Sequence, residues 1–212
     1  MKIAVIDYDI GNVQSIRNAL NNVGKTDVLI TNNELEILES DGVILPGVGA
    51  FKKGMKELEL RNLPEILDAY IDTGKPLLGI CLGMQLLFDK GEEFGQTNGL
   101  SFISGTVKKF PKILNDKLPH VGWNEIKSVG VEWQESILKD INNNEDMYFV
   151  HSYICIPEDK SVIHSTTSYG GIDFCSSIQK DNIHACQFHP EKSGEYGLKI
   201  MSNFADIVRN TL

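Results

Sequence analysis

The sequence has no apolar run long enough to span a bilayer. Its longest, residues 77–88, covers 12 positions and is interrupted by Gly79, Gly83 and Gln85, against the roughly 20 that a membrane-spanning helix needs. Near the amino end, residues 3–6 are apolar but meet Asp7 at once, which leaves no room for the about 7–15 apolar residues of a secretion signal. A cytoplasmic location is expected. Cationic charge is also scarce, with 20 Lys+Arg against 29 Asp+Glu and a formal net charge of −9. Such a chain repels phosphate backbones and anionic lipid, so neither a nucleic acid nor a membrane is expected as a partner. The four cysteines, Cys81, Cys155, Cys175 and Cys186, form no C-x-x-C pair, so neither a zinc ribbon nor a thioredoxin-type site is indicated, and no metal is expected. Reduced thiols are the default, one of them available for catalysis.

Repeats, low-complexity tracts and Pro/Ser-rich linkers are missing too, and 212 residues with 42% hydrophobic and 23% charged composition predict a single globular domain over 1–212. The first half has a clear rhythm. Residues 2–7 (KIAVID) read as a buried strand, and Val13, Ile16, Leu20 and Val23 fall at helical spacing before Gly24. Residues 27–30, 42–45 and 76–80 read as further strands, with an amphipathic helix over 63–73. Alternating strands and helices imply a parallel sheet covered on both faces. From about Gly99 the pattern becomes strand-rich, with segments at 106–110, 121–126, 147–156 and 161–169, a last strand at 184–189 and a closing helix from about Gly197. The expected fold is α/β: a mixed, mostly parallel sheet flanked by helices, with a smaller β-rich subregion. Ligands of such sheets sit beyond the carboxyl ends of the strands, so the residues after Leu45, Ile80 and Phe188 come under scrutiny.

After Ile80 the chain reads Cys81-Leu82-Gly83-Met84-Gln85: strand, G-x-C-x-G turn and helix start, the logic of a nucleophile elbow with Cys in place of Ser. The sharp turn strains the nucleophile's backbone, small neighbours let a substrate approach, and the following helix N-terminus favours a thiolate. A thiolate nucleophile needs a base. Among five histidines only His189 has an obvious orienter, Glu191, two residues on, where extended spacing would put both side chains on one side. His120, His151, His164 and His184 lack a carboxylate nearby in sequence and read as core or surface histidines. The turn Pro46-Gly47-Val48-Gly49 follows a strand and is able to present backbone N–H groups to an oxyanion, although Gly-x-Gly after a strand is more often only a turn. It lacks the further motif residues of a dinucleotide site or a P-loop.

Together the elbow, the 46–51 turn and the His-Pro-Glu segment resemble the class I glutamine amidotransferases, in which Cys, His and Glu hydrolyse the side-chain amide of glutamine and release ammonia. Residues 6–8 with Gly11-Asn12, 46–51 with Gly54-Met55, 79–88, 119–124 (PHVGWN), 148–153 (YFVHSY) and 187–193 (QFHPEKS) further resemble the glutaminase subunits of imidazole glycerol phosphate synthases. The resemblance implies a flavodoxin-like fold and no cofactor. It implies Cys81 as nucleophile, His189 as proton carrier and Glu191 as orienter. Gln85 and Glu93, about one and three helical turns past the nucleophile in sequence, match positions that hold L-glutamine, as do Ser152 and Tyr153 at its α-carboxylate. Gly47, Val48 and Gly49 match the oxyanion loop, which completes its hole when the partner is loaded. The implied partner is a (β/α)₈ barrel synthase, giving a heterodimer in which ammonia serves histidine biosynthesis; Asn12, His120, Trp123, Asn124 and Lys192 match interface positions. One departure is Asp9, where the family commonly has Gly.

Three rival readings remain at this level. Relatives of such subunits also feed ammonia to ATP-using sugar amidotransferases in surface-glycan assembly, and the glutaminase half does not read the acceptor. A cysteine peptidase on the same fold would use Cys81 and His189, but Gln85 and Glu93 suit a small glutamine pocket better than a peptide groove. A non-catalytic scaffold is opposed by the intact Cys81, His189 and Glu191 set.

Overall fold

The computed structural model describes residues 1–24, 26–111 and 117–211. Its first half runs β1 (Lys2–Ile6), α1 (Val13–Val23), β2 (Asp27–Thr31), α2 (Glu34–Leu38), β3 (Gly42–Leu45), α3 (Phe51–Glu59), α4 (Leu63–Asp72), β4 (Leu77–Ile80) and α5 (Leu82–Leu86). Strands β3 and β4 are buried at every position, as expected of parallel strands covered on both faces. Asn12 caps α1 by accepting from the Ser15 N–H, and the helix stops at Gly24, whose φ of 78° suits a residue without Cβ.

The second half runs β5 (Phe88–Gly91), β6 (Thr97–Asn98), β7 (Ile103–Lys109), β8 (His120–Ser128), β9 (Glu145–His151), β10 (Tyr153–Pro157), β11 (Ile163–Tyr169), β12 (Ile172–Lys180), β13 (Ile183–Cys186) and α6 (Gly194–Asn210). Among the described residues, nine strands form one sheet in the order β2-β1-β3-β4-β13-β12-β11-β8-β9, and β10-β7-β5-β6 form a second. The pairings from β2 to β13 are parallel and those from β13 to β9 antiparallel, so only β12 and β8 oppose the other seven strands.

Helices α1 and α6 cover one face through Ile16, Leu20, Ile200 and Phe204. On the other lie α2 to α5, with Ile37, Met55, Leu67 and Leu82, and the small sheet, with Ile103, Val107 and Cys155. Each such side chain, fully withdrawn from water, contributes about 1.5–3 kcal/mol. The α/β fold with helices on both faces and a β-rich annex is the one the sequence led us to expect.

Three local expectations are corrected. Residues 147–156 are two strands, because the chain leaves the large sheet at His151 and enters the small one at Tyr153. The last strand ends at Cys186 rather than 189, and α6 starts at Gly194, three residues earlier than expected. Asp9 has φ 62°, which explains why a glycine suits that turn; the short polar Asp tolerates the conformation, and its carboxylate pairs with Arg61.

Candidate active site

Between β4 and α5 a single residue, Cys81, makes the turn, with φ 54° and ψ −110°. Such a conformation costs on the order of 1–3 kcal/mol and persists only where the surroundings impose it. Here the Cys81 N–H donates to Cys186 O at 2.8 Å and the Gln85 N–H to Cys81 O at 3.2 Å. Gly83 permits the close approach of strand and helix: a Cβ there would lie 1.9 Å from Leu45 O. Helix α5 is only five residues long, so the charge effect expected from a helix N-terminus is small.

Neighbouring parallel strands bring the site together. In register Leu45 faces Gly79 and Ile80 faces Cys186, so the 46–50 turn, Cys81 and Gln187 all emerge side by side at the carboxyl ends of β3, β4 and β13. Beyond Gln187, His189 Nδ1 lies 2.8 Å from Glu191 Oε1, with the two side chains 2% and 1% exposed. The pairing is as expected but its cause is different: a short 3₁₀ turn, Pro190–Lys192, folds Glu191 back onto the ring. The His189 backbone is pinned by N–H donation to Tyr148 O at 2.9 Å and by the Ser193 hydroxyl donating to its carbonyl at 2.7 Å. His189 Nε2 is buried with no hydrogen-bond partner among the described residues. Burial works against a charged ring, but the Cys81 sulfur and the Glu191 carboxylate together raise its pKa to about 10.

A cleft of about 420 Å³ opens over these groups, lined by Val48, Gly49, Cys81, Gln85 and Glu93 together with residues 150–153. Its far wall is the end of β9, returned to the site from the sheet's edge by the bond between His189 and Tyr148. Ser152 and Tyr153 lie in the cleft as expected, at the crossing between the sheets. The Gln85 Nε2 donates to Gln187 Oε1 at 2.9 Å and to Tyr153 O at 3.3 Å. Glu93 is not on a continued helix, since α5 ends at Leu86; it lies past β5, and its Oε2 accepts the Phe51 N–H at the start of α3, 2.8 Å away.

The 46–50 turn is anchored at its first two residues: the Tyr8 hydroxyl donates to Pro46 O at 2.5 Å and the Leu82 N–H to Gly47 O at 3.3 Å. Burial raises the Tyr8 pKa and keeps that donor neutral. Gly47, expected among the oxyanion donors, packs against Tyr8 and Leu82, where a Cβ would lie 2.6 and 2.8 Å away, and does not line the cleft. Val48 and Gly49 do; Val48 is 42% exposed, and Gly49, at φ 98°, has open space where a Cβ would be.

The residues expected at a partner surface divide. Trp123 is 53% exposed beside Val121 on β8, and Lys192 is exposed with its Nζ 5.9 Å from the Tyr148 ring centre. Asn12 caps α1. His120 is fully buried, stacked on Tyr169 and 3.0 Å from His151, because its strand turns this side chain inward; its Nε2 meets Asn124 Oδ1 at 2.8 Å. It therefore does not itself form part of the surface. Burial raises the thiols of Cys155, Cys175 and Cys186, that of Cys175 to about 12, so these three stay protonated and inert. Sequence reasoning passed over Gln187, whose Nε2 lies 3.7 Å from Cys81 Sγ; its alternation with His189 was the available signal.

A strained cysteine between strand and helix, backed by a buried His–Glu pair and sharing one cleft with the Val48–Gly49 turn, is suited to attack a carboxamide. The sequence matches glutamine amidotransferase class I over residues 4–208, and the chain belongs to that family. Solved structures share the fold: a glutamine amidotransferase from Thermotoga maritima (TM-score 0.61, 15% identity, 100% of this chain and 85% of that one) and the glutaminase domain of Trypanosoma brucei CTPS with bound acivicin (0.66, 18%, 97% and 94%). Within the family its place is among the subunits named imidazole glycerol phosphate synthase subunit HisH. The one from Aquifex aeolicus is 46% identical over 96% of both chains, and that from Caldanaerobacter subterraneus is 45% identical over 98% of both.

Proposed function

We propose that this chain is the glutaminase subunit of an imidazole glycerol phosphate synthase, hydrolysing L-glutamine and delivering ammonia to a (β/α)₈ barrel synthase partner in a heterodimer. The observation that carries the reading is the strained Cys81 with the buried His189–Glu191 pair behind it, in a chain whose curated relatives are 40–46% identical HisH subunits over nearly their whole length. Those relatives favour histidine biosynthesis over sugar amidination.

In this mechanism the Cys81 thiolate attacks the amide carbon of glutamine, and the electron pair of the C=O moves to oxygen, where N–H groups of the 48–49 turn meet it. His189, protonated opposite the thiolate, gives its Nε2 proton to the departing nitrogen; the C–N bond breaks and ammonia leaves a glutamyl thioester. Water then gives a proton to His189 and attacks the thioester carbon, the C–S bond breaks, and glutamate departs with the thiolate restored. Glu191 holds the Nδ1 proton throughout, so the other nitrogen always faces the substrate. Glu93 and the Ser152–Tyr153 backbone hold the two ends of the amino acid. Tyr153's phenol, raised above its usual pKa by partial burial and by Glu93, remains a neutral donor.

The test is co-purification with the barrel partner, followed by assay of the complex with glutamine ¹⁵N-labelled at the amide. The label is expected in imidazole glycerol phosphate. Label appearing only as free ammonia, with no response to the barrel or its substrate, would refute the assignment to this synthase.

A further inference from the structure

The hydrogen bonds behind the nucleophile have a direction that can be deduced from one end. The Tyr153 carbonyl oxygen only accepts, so the Gln85 atom 3.3 Å from it is the amine; that amine also lies 2.9 Å from one end of the Gln187 amide. The facing atom on Gln187 must be its oxygen. With the oxygen so committed, Gln187 turns its own Nε2 toward Cys81 Sγ at 3.7 Å. The amide orientations, ambiguous for an isolated glutamine, are thus set by a backbone group.

Gln187 is fully buried and its backbone N–H is tied to Ser176 O at 2.9 Å. It stands beside Cys81 because the two residues directly follow Cys186 and Ile80, which are paired in register on β13 and β4. Besides the His189 ring, the sulfur has Val150 O at 3.9 Å, which can only accept and so favours the thiol. Gln187 is a donor, and a buried donor favours the ionised sulfur.

We propose that Gln187 is a further catalytic residue, whose side-chain N–H donates to the Cys81 sulfur and stabilises the thiolate, with Gln85 and the Tyr153 carbonyl keeping it aimed. The inference rests on Cys81 being the nucleophile. The donor acts twice in the cycle: on the attacking thiolate, and again when the thioester's C–S bond breaks and its electron pair returns to sulfur.

The test follows iodoacetamide labelling of Cys81 in the full chain, read by peptide mass spectrometry across pH, for the wild type, Gln187→Met and Gln187→Glu. Methionine keeps the length and cannot donate; glutamate keeps an acceptor for Gln85 and puts a carboxylate at the sulfur. In both variants the pH of half-maximal labelling should rise by about one unit or more, with labelling at pH 7 slowed about tenfold and kcat for glutamine falling while KM changes little. An unmoved labelling profile in a variant that melts like the wild type would overturn the proposal. In the unaltered protein the Gln187 Nε2 proton resonances should shift over the same pH range in which labelling begins; resonances that stay fixed would overturn it without any variant. If wild-type Cys81 labelled no faster than the buried thiols, the nucleophile assignment would fall and this inference with it.

Discussion

Glu191 Oε1 stands 2.8 Å from His189 Nδ1 in a setting where both side chains are almost completely shielded from water. The ring's proton on that nitrogen is therefore fixed, and the orientation of Nε2 with it. Glu191→Gln should keep the fold and lower glutamine turnover by about a thousandfold or more, through the wrong tautomer, with KM little changed. Steady-state assays of the complex, with circular dichroism as control, check this; a loss under tenfold would deny Glu191 its orienting role.

Replacing Cys81 by Ala should abolish synthesis from glutamine and leave synthesis from added ammonium salts near the wild-type rate, since the acceptor chemistry needs no thiolate. The measurement is product formation by the complex with each nitrogen source. Equal loss with both would make Cys81 structural.

Gly83→Ala places a methyl group 1.9 Å from Leu45 O, with further backbone at 2.8 Å. The strand and helix must separate, at a cost of about 3 kcal/mol or more. Thermal or denaturant unfolding should show the loss, and glutamine turnover should fall with it as the elbow shifts. A wild-type melting temperature would show that the contact yields freely.

Acid should destabilise the protein partly through His184. Burial first, and the nearby His164 second, lower its pKa to about 4, against about 6.5 in an unfolded chain. Above pH 6.5 the ring is neutral in both states and its contribution is fully present. As pH falls from 6.5 toward 4 only the unfolded chain takes up the proton, and stability drops by about 1.4 kcal/mol per pH unit from this group. His184→Leu should flatten that limb of a plot of unfolding free energy against pH. Parallel curves for the two proteins would contradict the assignment.

The parallel half of the fold was legible because β3, β4 and β1 after Lys2 carry no polar side chain, and α1 has a start signal, Asn12, and a stop signal, Gly24. Cys81 was legible from its flanking glycines. Other features depend on contacts distant in sequence. Ser152 sits inside an unbroken apolar-rich segment, and only the competing demands of two sheets divide it. Glu93 reads as a solvated charge beside Glu92 until α3 presents the Phe51 N–H, 42 positions away. Gln187 gains its partners from residues more than 100 positions distant, and its alternation with His189 says nothing of which atoms it meets. His120 carries no burial signal of its own; its place against Tyr169 and His151 comes from strand pairing.

The crossing at Ser152 has a consequence for the growing chain. The far wall of the cleft over Cys81 is supplied where the polypeptide passes from β9 in one sheet to β10 in the other, so the cleft takes shape only once both sheets have closed around that residue. His189, which enters near the end of the sequence, docks on Tyr148 of the same stretch. A chain in which the two sheets have not yet joined accordingly has the Cys81 thiol without the far wall of its cleft.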